Sequence, residues 1–186
     1  MKVVIIGNAP SLIGSNLGKK IDRCSKIVRF NDFRIQGFEK DLGSRTTHWC
    51  VAHHSVYNLL YRQAGKCDAN SGAIEELWMN GVHFNLDGNI VQFLLRYAGV
   101  SNDDIRFYSE KVWAKYEKRF GTIPSTGFMG VMTAREAFPK AEIFIAGFGD
   151  GGGHYYNKEH KKGRHNFEAE YTEYEHFVKH GNLKWL

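Results

Sequence analysis

Cysteine and proline are both scarce in this chain, three of each among 186 residues. Cys24, Cys50 and Cys67 lie far apart and are odd in number, with no CxxC and no His/Cys spacing suited to tetrahedral zinc. That excludes a disulfide framework and a structural zinc site, and favours a reducing compartment. Few prolines and no linker, repeat or low-complexity tract leave no boundary to draw, so one domain over residues 1–186 is expected. Long apolar runs are missing as well. Val3–Ile6 and Ile143–Ala146 are strand-length, far short of the roughly 20 residues that span a bilayer. No charged leader with an apolar stretch opens the chain, so the expected location is cytoplasmic, at most peripheral to a membrane.

Acidic residues fall short of basic ones, 20 Asp and Glu against 25 Lys and Arg, for a net charge of +5. The excess sits in two stretches. One holds Lys19, Lys20, Arg23, Lys26 and Arg29 against Asp22; the other holds Lys158, Lys161, Lys162 and Arg164 against Glu159, with His154, His160 and His165. Apolar or glycine positions break both, and no helix-turn-helix, RRM or KH pattern accompanies them, so no nucleic-acid partner is expected. A hydrophobic share of 42% rules out a disordered chain.

Short β-branched or aromatic runs between turn signals predict strands at Lys2–Ile6, Lys26–Phe30, Thr46–Val51, Ile105–Ser109 and Glu142–Ala146. Capped or glycine-terminated runs predict helices at Ser71–Asn80, Asn89–Ala98, Glu110–Phe120 and Gly127–Phe138. A last helix runs from an Asn166 cap to Gly181, with Phe167, Tyr171, Tyr174, Phe177 and Val178 at helical spacing. Strands alternating with helices define an α/β fold, a mostly parallel sheet covered by helices on both faces. Ligands of such folds sit at the carboxyl ends of the strands near a switch in strand order. Two turns qualify, Gly7-Asn8-Ala9-Pro10-Ser11 and Gly147-Phe148-Gly149-Asp150. The first lacks the GxGxxG spacing of a dinucleotide turn, although Asp32, ending the second strand, leaves a ribose-binding acid open.

Four segments then follow in a fixed order. Residues 4–48 carry the Gly7-Asn8 turn, Gly18-Lys19-x-Ile21-Asp22, Arg29-Phe30-Asn31, Gly37-Phe38-Glu39-Lys40-Asp41 and Thr46-Thr47-His48. Pro124-Ser125-Thr126-Gly127 leads to Gly147-Phe148-Gly149, His154-Tyr155-Tyr156-Asn157 comes next, and His165 stands five residues before Glu170. Together they resemble the large, small, third and very small sialylmotifs of the animal-type sialyltransferases, glycosyltransferase family 29. The opening Gly7-Asn8-Ala9-Pro10-Ser11-Leu12 is also similar to that of bacterial lipo-oligosaccharide sialyltransferases. Residues from about 50 to 120 match no motif. The resemblance implies one Rossmann-like domain of the GT-A variant type. It departs from the Golgi members in three ways: Val3 and Lys140 stand where their bridging cysteines align, no anchor or stem is seen, and residues 149–165 are short and glycine-rich. These departures point to a minimal bacterial or viral relative.

The implied reaction moves sialic acid from CMP-sialic acid to an acceptor hydroxyl, a galactoside above all, with inversion. A hydroxyl needs a base with a pKa near the working pH, and by motif match that base is His165. Growing charge on the leaving phosphate needs fixed donors. No Asp-x-Asp occurs to recruit a divalent ion, so the resemblance implies a site without metal or cofactor. Ser125, Thr126 and the amides at the helix start by Gly127 form an expected anion site, with His154 and Tyr155 beside it and His154 as the second catalytic residue. Asn8 and Asn31 are mapped to the donor's phosphate and ribose, Gly147 and Phe148 to its cytidine end. Glu170 lies about 500° around a helix from His165, on another face, and is expected to be structural. The partners expected are thus a CMP-sugar donor and a glycan acceptor. Two alternatives stay open, a non-catalytic module binding CMP-sugars or glycans, and a transferase for another CMP-activated keto-sugar.

Overall fold

The computed structural model describes residues 1–52, 57, 67–70, 73–80, 88–149, 153–157 and 164–186. Seven strands form one sheet: β1 (Lys2–Ile6), β2 (Lys26–Phe30), β3 (His48–Val51), β4 (Glu76–Met79), β5 (Ile105–Phe107), β6 (Glu142–Ala146) and β7 (Lys184–Trp185). Their spatial order is β5-β4-β3-β2-β1-β6-β7, and every neighbouring pair is parallel. Among the described residues they are accompanied by the helices α1 (Gly18–Asp22), α2 (Glu39–Leu42), α3 (Gly88–Ala98), α4 (Glu110–Phe120), α5 (Thr126–Ala137) and α6 (Phe167–Lys179).

The two-residue period of the strands divides their side chains between two cores. Val3, Ile5, Val28, Phe30, Cys50, Trp78, Ile143 and Ile145 face one side, where Trp113, Tyr116, Phe128, Met129, Tyr174 and Phe177 of α4, α5 and α6 cover them. Val4, Ile6 and Ile27 face the other, under Ile21 of α1 and Leu42 of α2. Trp49, Val51, Leu77 and Met79 continue that face beneath Ile90, Leu94 and Leu95 of α3. Each fully buried aliphatic side chain contributes about 1.5–3 kcal/mol. Both faces are therefore dry, as a parallel sheet requires.

Three side chains cap the helices that build the site. The hydroxyl of Ser109 accepts from the Val112 amide at α4, Ser125 from Phe128 at α5, and the Asn166 carboxamide from Ala169 at α6. The expected strand Ile105–Ser109 stops at Phe107 because Ser109 is that cap. Thr46 and Thr47 precede β3 instead of belonging to it; Thr46 Oγ1 accepts from Arg29 and Thr47 Oγ1 bonds both polar groups of Ile27.

One expected helix is overturned. Of Ser71–Asn80, residues 71 and 72 lie outside the described set, and 76–79 are β4, not helix. Leu77 and Met79 enter one core and Trp78 the other, so an apolar run buried on both faces looked helical beside Glu75 and Glu76. Residues Lys158 to Lys162 of the second basic stretch are also outside the described set. In the first stretch, Arg29 is no surface cation: it is 1% exposed. Its guanidinium donates to the carbonyls of Leu42 and Arg45, and burial lowers its pKa to about 10. All three cysteines are free and buried. No helix among the described residues is long and apolar enough to cross a membrane.

Candidate active site

The chain builds outward from β1 through β2, β3, β4 and β5, then returns to place β6 on the opposite flank of β1. The turns after β1 and β6 therefore leave the sheet side by side. The Gly7 amide donates to Ala146 O at 2.8 Å and the Ala9 amide to Gly147 O at 2.9 Å. A Cβ on Gly7 would stand 2.2 Å from Gly147 O, and Gly147 itself has a φ of 70°. Only glycine permits that approach.

Above the two turns opens a cavity of about 350 Å³, within the size range of small-ligand sites. It is lined by Gly7, Asn8, Asn31, Ser125, Thr126, Gly127, Gly147, Phe148, His154, His165 and Glu170, together with Phe30, Ala52, Phe167 and Tyr174. Sequence segments more than a hundred residues apart thus converge on one place. Its floor is aromatic. Phe148 meets Phe30 edge-on at 5.9 Å and Tyr174 at 5.0 Å.

Asn8 and Asn31 follow β1 and β2 directly. Asn8 Nδ2 donates to Phe30 O at 3.3 Å, and its carbonyl accepts from the Tyr155 amide. Asn31 adopts a φ of 52°, a left-handed turn that asparagine tolerates. Its Oδ1 accepts from the Ala52 amide and its carbonyl from Trp49 Nε1, which leaves its Nδ2 hydrogens as what it can offer a ligand.

At the start of α5, Ser125 Oγ and O accept from the amides of Phe128 and Met129. The amides of Thr126 and Gly127 are first-turn donors without a partner inside the helix, and both residues border the cavity. This end of α5 presents partial positive charge to anything bound there.

Glu170 braces that helix start. Its Oε1 accepts from the Ser125 amide at 2.7 Å and its Oε2 lies 2.6 Å from Ser125 Oγ. The residue is 2% exposed. Burial raises its pKa to about 7, and the two Ser125 bonds pull the other way. The expected separation from His165 does not hold, because α6 begins only at Phe167. His165 lies ahead of the helix, and the two side chains border the same cavity.

His165 Nδ1 is 3.0 Å from the Ile123 carbonyl. A carbonyl only accepts, so this nitrogen carries the ring hydrogen and Nε2 is left as the acceptor of a neutral imidazole. His154 belongs to a tight turn in which its backbone exchanges bonds with that of Asn157 at 3.0 Å. Tyr155 is the one expected donor-binding residue that does not line the cavity. Its ring is buried edge-on against Phe38, and its hydroxyl donates to Arg34 O at 2.5 Å while accepting from the Arg34 amide at 2.8 Å. Among the cavity residues the sequence did not single out, Tyr174 shares the helical spacing of a core residue and Ala52 has no polar group to mark it.

A parallel sheet with a cavity at its strand-order switch is the arrangement in which open α/β folds place their ligands. The chain matches the model of glycosyltransferase family 29 (sialyltransferase) over residues 1–182, and it belongs to that family. It is 27% identical over 154 residues to the mouse alpha-N-acetyl-neuraminyl-2,3-beta-galactosyl-1,3-N-acetyl-galactosaminide alpha-2,6-sialyltransferase, covering 75% of this chain and 43% of that protein. To the human alpha-N-acetylgalactosaminide alpha-2,6-sialyltransferase 6 it is 39% identical over 59 residues, 32% of this chain and 18% of the relative. The chain thus spans less than half the length of these relatives. A crystal structure of a mammalian sialyltransferase superposes with a TM-score of 0.72 at 19% identity, covering all of this chain and 68% of that one. CstII from Campylobacter jejuni, solved with the substrate analogue CMP-3FNeuAc, gives 0.58 at 16% identity, covering 99% and 79%. These likenesses show a shared fold.

Proposed function

We propose that the chain binds a CMP-activated sialic acid in this cavity and transfers the sialyl group, with inversion, to a hydroxyl of a glycan acceptor such as a galactoside. The observation that carries the reading is the bond from His165 Nδ1 to Ile123 O, which leaves Nε2 ready to accept a proton at the cavity wall. As the acceptor oxygen bonds the anomeric carbon, its proton passes to Nε2, and the bond from that carbon to the phosphate oxygen breaks to release CMP. Charge growing on the phosphate meets the Thr126 and Gly127 amides, with His154 across the cavity. Asn8 and Asn31 orient the nucleotide, and Phe148 offers it an apolar wall. In this reading neither a metal nor a cofactor takes part, since fixed dipoles oppose the leaving charge. Tyr155 contributes by holding the turn that bears His154.

The test is incubation of the protein with CMP-sialic acid and a panel of galactosides in the presence of EDTA, read by mass spectrometry. Sialylated product is expected. His165→Ala should lower the rate by about 10²–10⁴ while CMP still binds. Loss of activity with the chelator would overturn the metal-free part, and CMP binding without turnover of any CMP-sugar would make the chain a binding module.

A further inference from the structure

We propose that Glu170 sets the direction of the Ser125 hydroxyl hydrogen, so that the cavity takes up a proton when a phosphate-bearing ligand settles against the start of α5. The proposal rests on the nucleotide reading above and adds to it a positioning residue and a proton.

The hydrogen count around Ser125 Oγ carries the inference. The oxygen has one hydrogen and two lone pairs. One lone pair takes the Phe128 amide at 3.0 Å. The contact with Glu170 Oε2 at 2.6 Å needs one hydrogen between two oxygens. When Glu170 is ionised it has none to give, so Ser125 must donate, and toward the cavity it shows only a lone pair. A bound phosphate would be repelled by that lone pair and by the carboxylate behind it.

When Glu170 is neutral, Oε1 must stay an acceptor because the Ser125 amide donates to it at 2.7 Å. The proton therefore sits on Oε2 and is donated to Oγ. Oγ now accepts twice, and its own hydrogen is released toward the cavity, where a phosphate oxygen beside the Thr126 and Gly127 amides can take it. The balance closes with one proton moving from solvent to Oε2 on binding and returning on release. A glutamate with a pKa of about 7 reaches either form near neutrality. The other titratable groups that line the cavity with it are His154, His165 and Tyr174, the last one turn on, whose buried hydroxyl has no hydrogen-bond partner among the described residues and whose pKa burial drives upward.

Titration calorimetry of CMP at pH 7, run in two buffers of different ionisation enthalpy, reads the protons taken up. Since the phosphate of CMP also titrates in this range, the quantity read is the difference between the wild type and Glu170→Gln. A glutamine can accept from the Ser125 amide and donate to Oγ, fixing the arrangement of the neutral acid. Wild type should take up a fraction of a proton more than Glu170→Gln. Between pH 6.5 and 8.5 its CMP affinity should fall about tenfold further, the equivalent of one pKa unit. Ser125→Ala, which has no hydrogen to redirect, should lose the same extra uptake and serves if Glu170→Gln does not fold. Equal proton counts in wild type and variant, with CMP bound by both, overturn the coupling alone. Failure of wild type to bind CMP overturns the nucleotide reading and this proposal with it.

Discussion

Tyr156 donates its phenolic hydrogen to Asp32 Oδ1 at 2.6 Å, joining positions 124 residues apart. Asp32 directly follows Asn31, and the Tyr156 ring lies 5.1 Å from that of His154. The bond therefore ties the turn bearing His154 to the end of β2. Arg34 completes the clasp, with its guanidinium 5.0 Å above the Tyr156 ring and 3.9 Å from Asp32. The carboxylate that could have been a ribose ligand by position is already engaged here.

Tyr156→Phe should cost about 1–3 kcal/mol, because it leaves a nearly buried carboxylate short of a donor. Urea unfolding measures the loss. Under the proposed function, kcat/KM should fall as well, since His154 is no longer held.

Gly7→Ala should destabilise by about 1–3 kcal/mol, the usual cost of forcing extra volume into packed structure, and should weaken CMP binding as the two turns part. Gly149→Ala is the control. Among the described residues a Cβ there meets only Ala9 Cβ, at 3.8 Å, and its effect on the melting temperature should be small.

His48 predicts a pH dependence of stability. Burial against Trp78 and Phe138 lowers its pKa to about 4, below the value of about 6.5 in an unfolded chain. Between these values the unfolded state binds the proton and the folded state does not, so stability is full above about pH 6.5 and is lost as pH falls toward 4. The total loss is roughly 3 kcal/mol. Unfolding midpoints at pH 7.5 and 4.5 should differ less in His48→Gln than in the wild type.

Arg29→Lys should destabilise by about 2–4 kcal/mol, because an ammonium cannot reach Thr46 Oγ1 and the Leu42 and Arg45 carbonyls at once from a buried site. Thermal melting checks it.

The strands that flank the site were legible because turn residues bracket them, as Gly7 ends β1 and Gly147 ends β6. β4 was not. Its three buried residues, Leu77, Trp78 and Met79, enter cores on both faces and have no alternation to show, and Glu75 and Glu76 ahead of them imitate a helix start. Most of the cavity was legible through the order of its motifs. Tyr155 was misplaced because neighbours in a motif need not point the same way, and Tyr174 was hidden because a helix face that fills a core and one that floors a cavity share one period. That His165 and Glu170 line one cavity depended on where α6 begins, which a residue count along a helix cannot give.

Because β1 lies inside the sheet, with β2 on one side and β6 on the other, the turn after β1 meets its partner only once β2 to β5 have been made. Synthesis must therefore pass β6 before the two turns can meet, and a chain truncated ahead of β6 would carry the Gly-Asn turn without its partner.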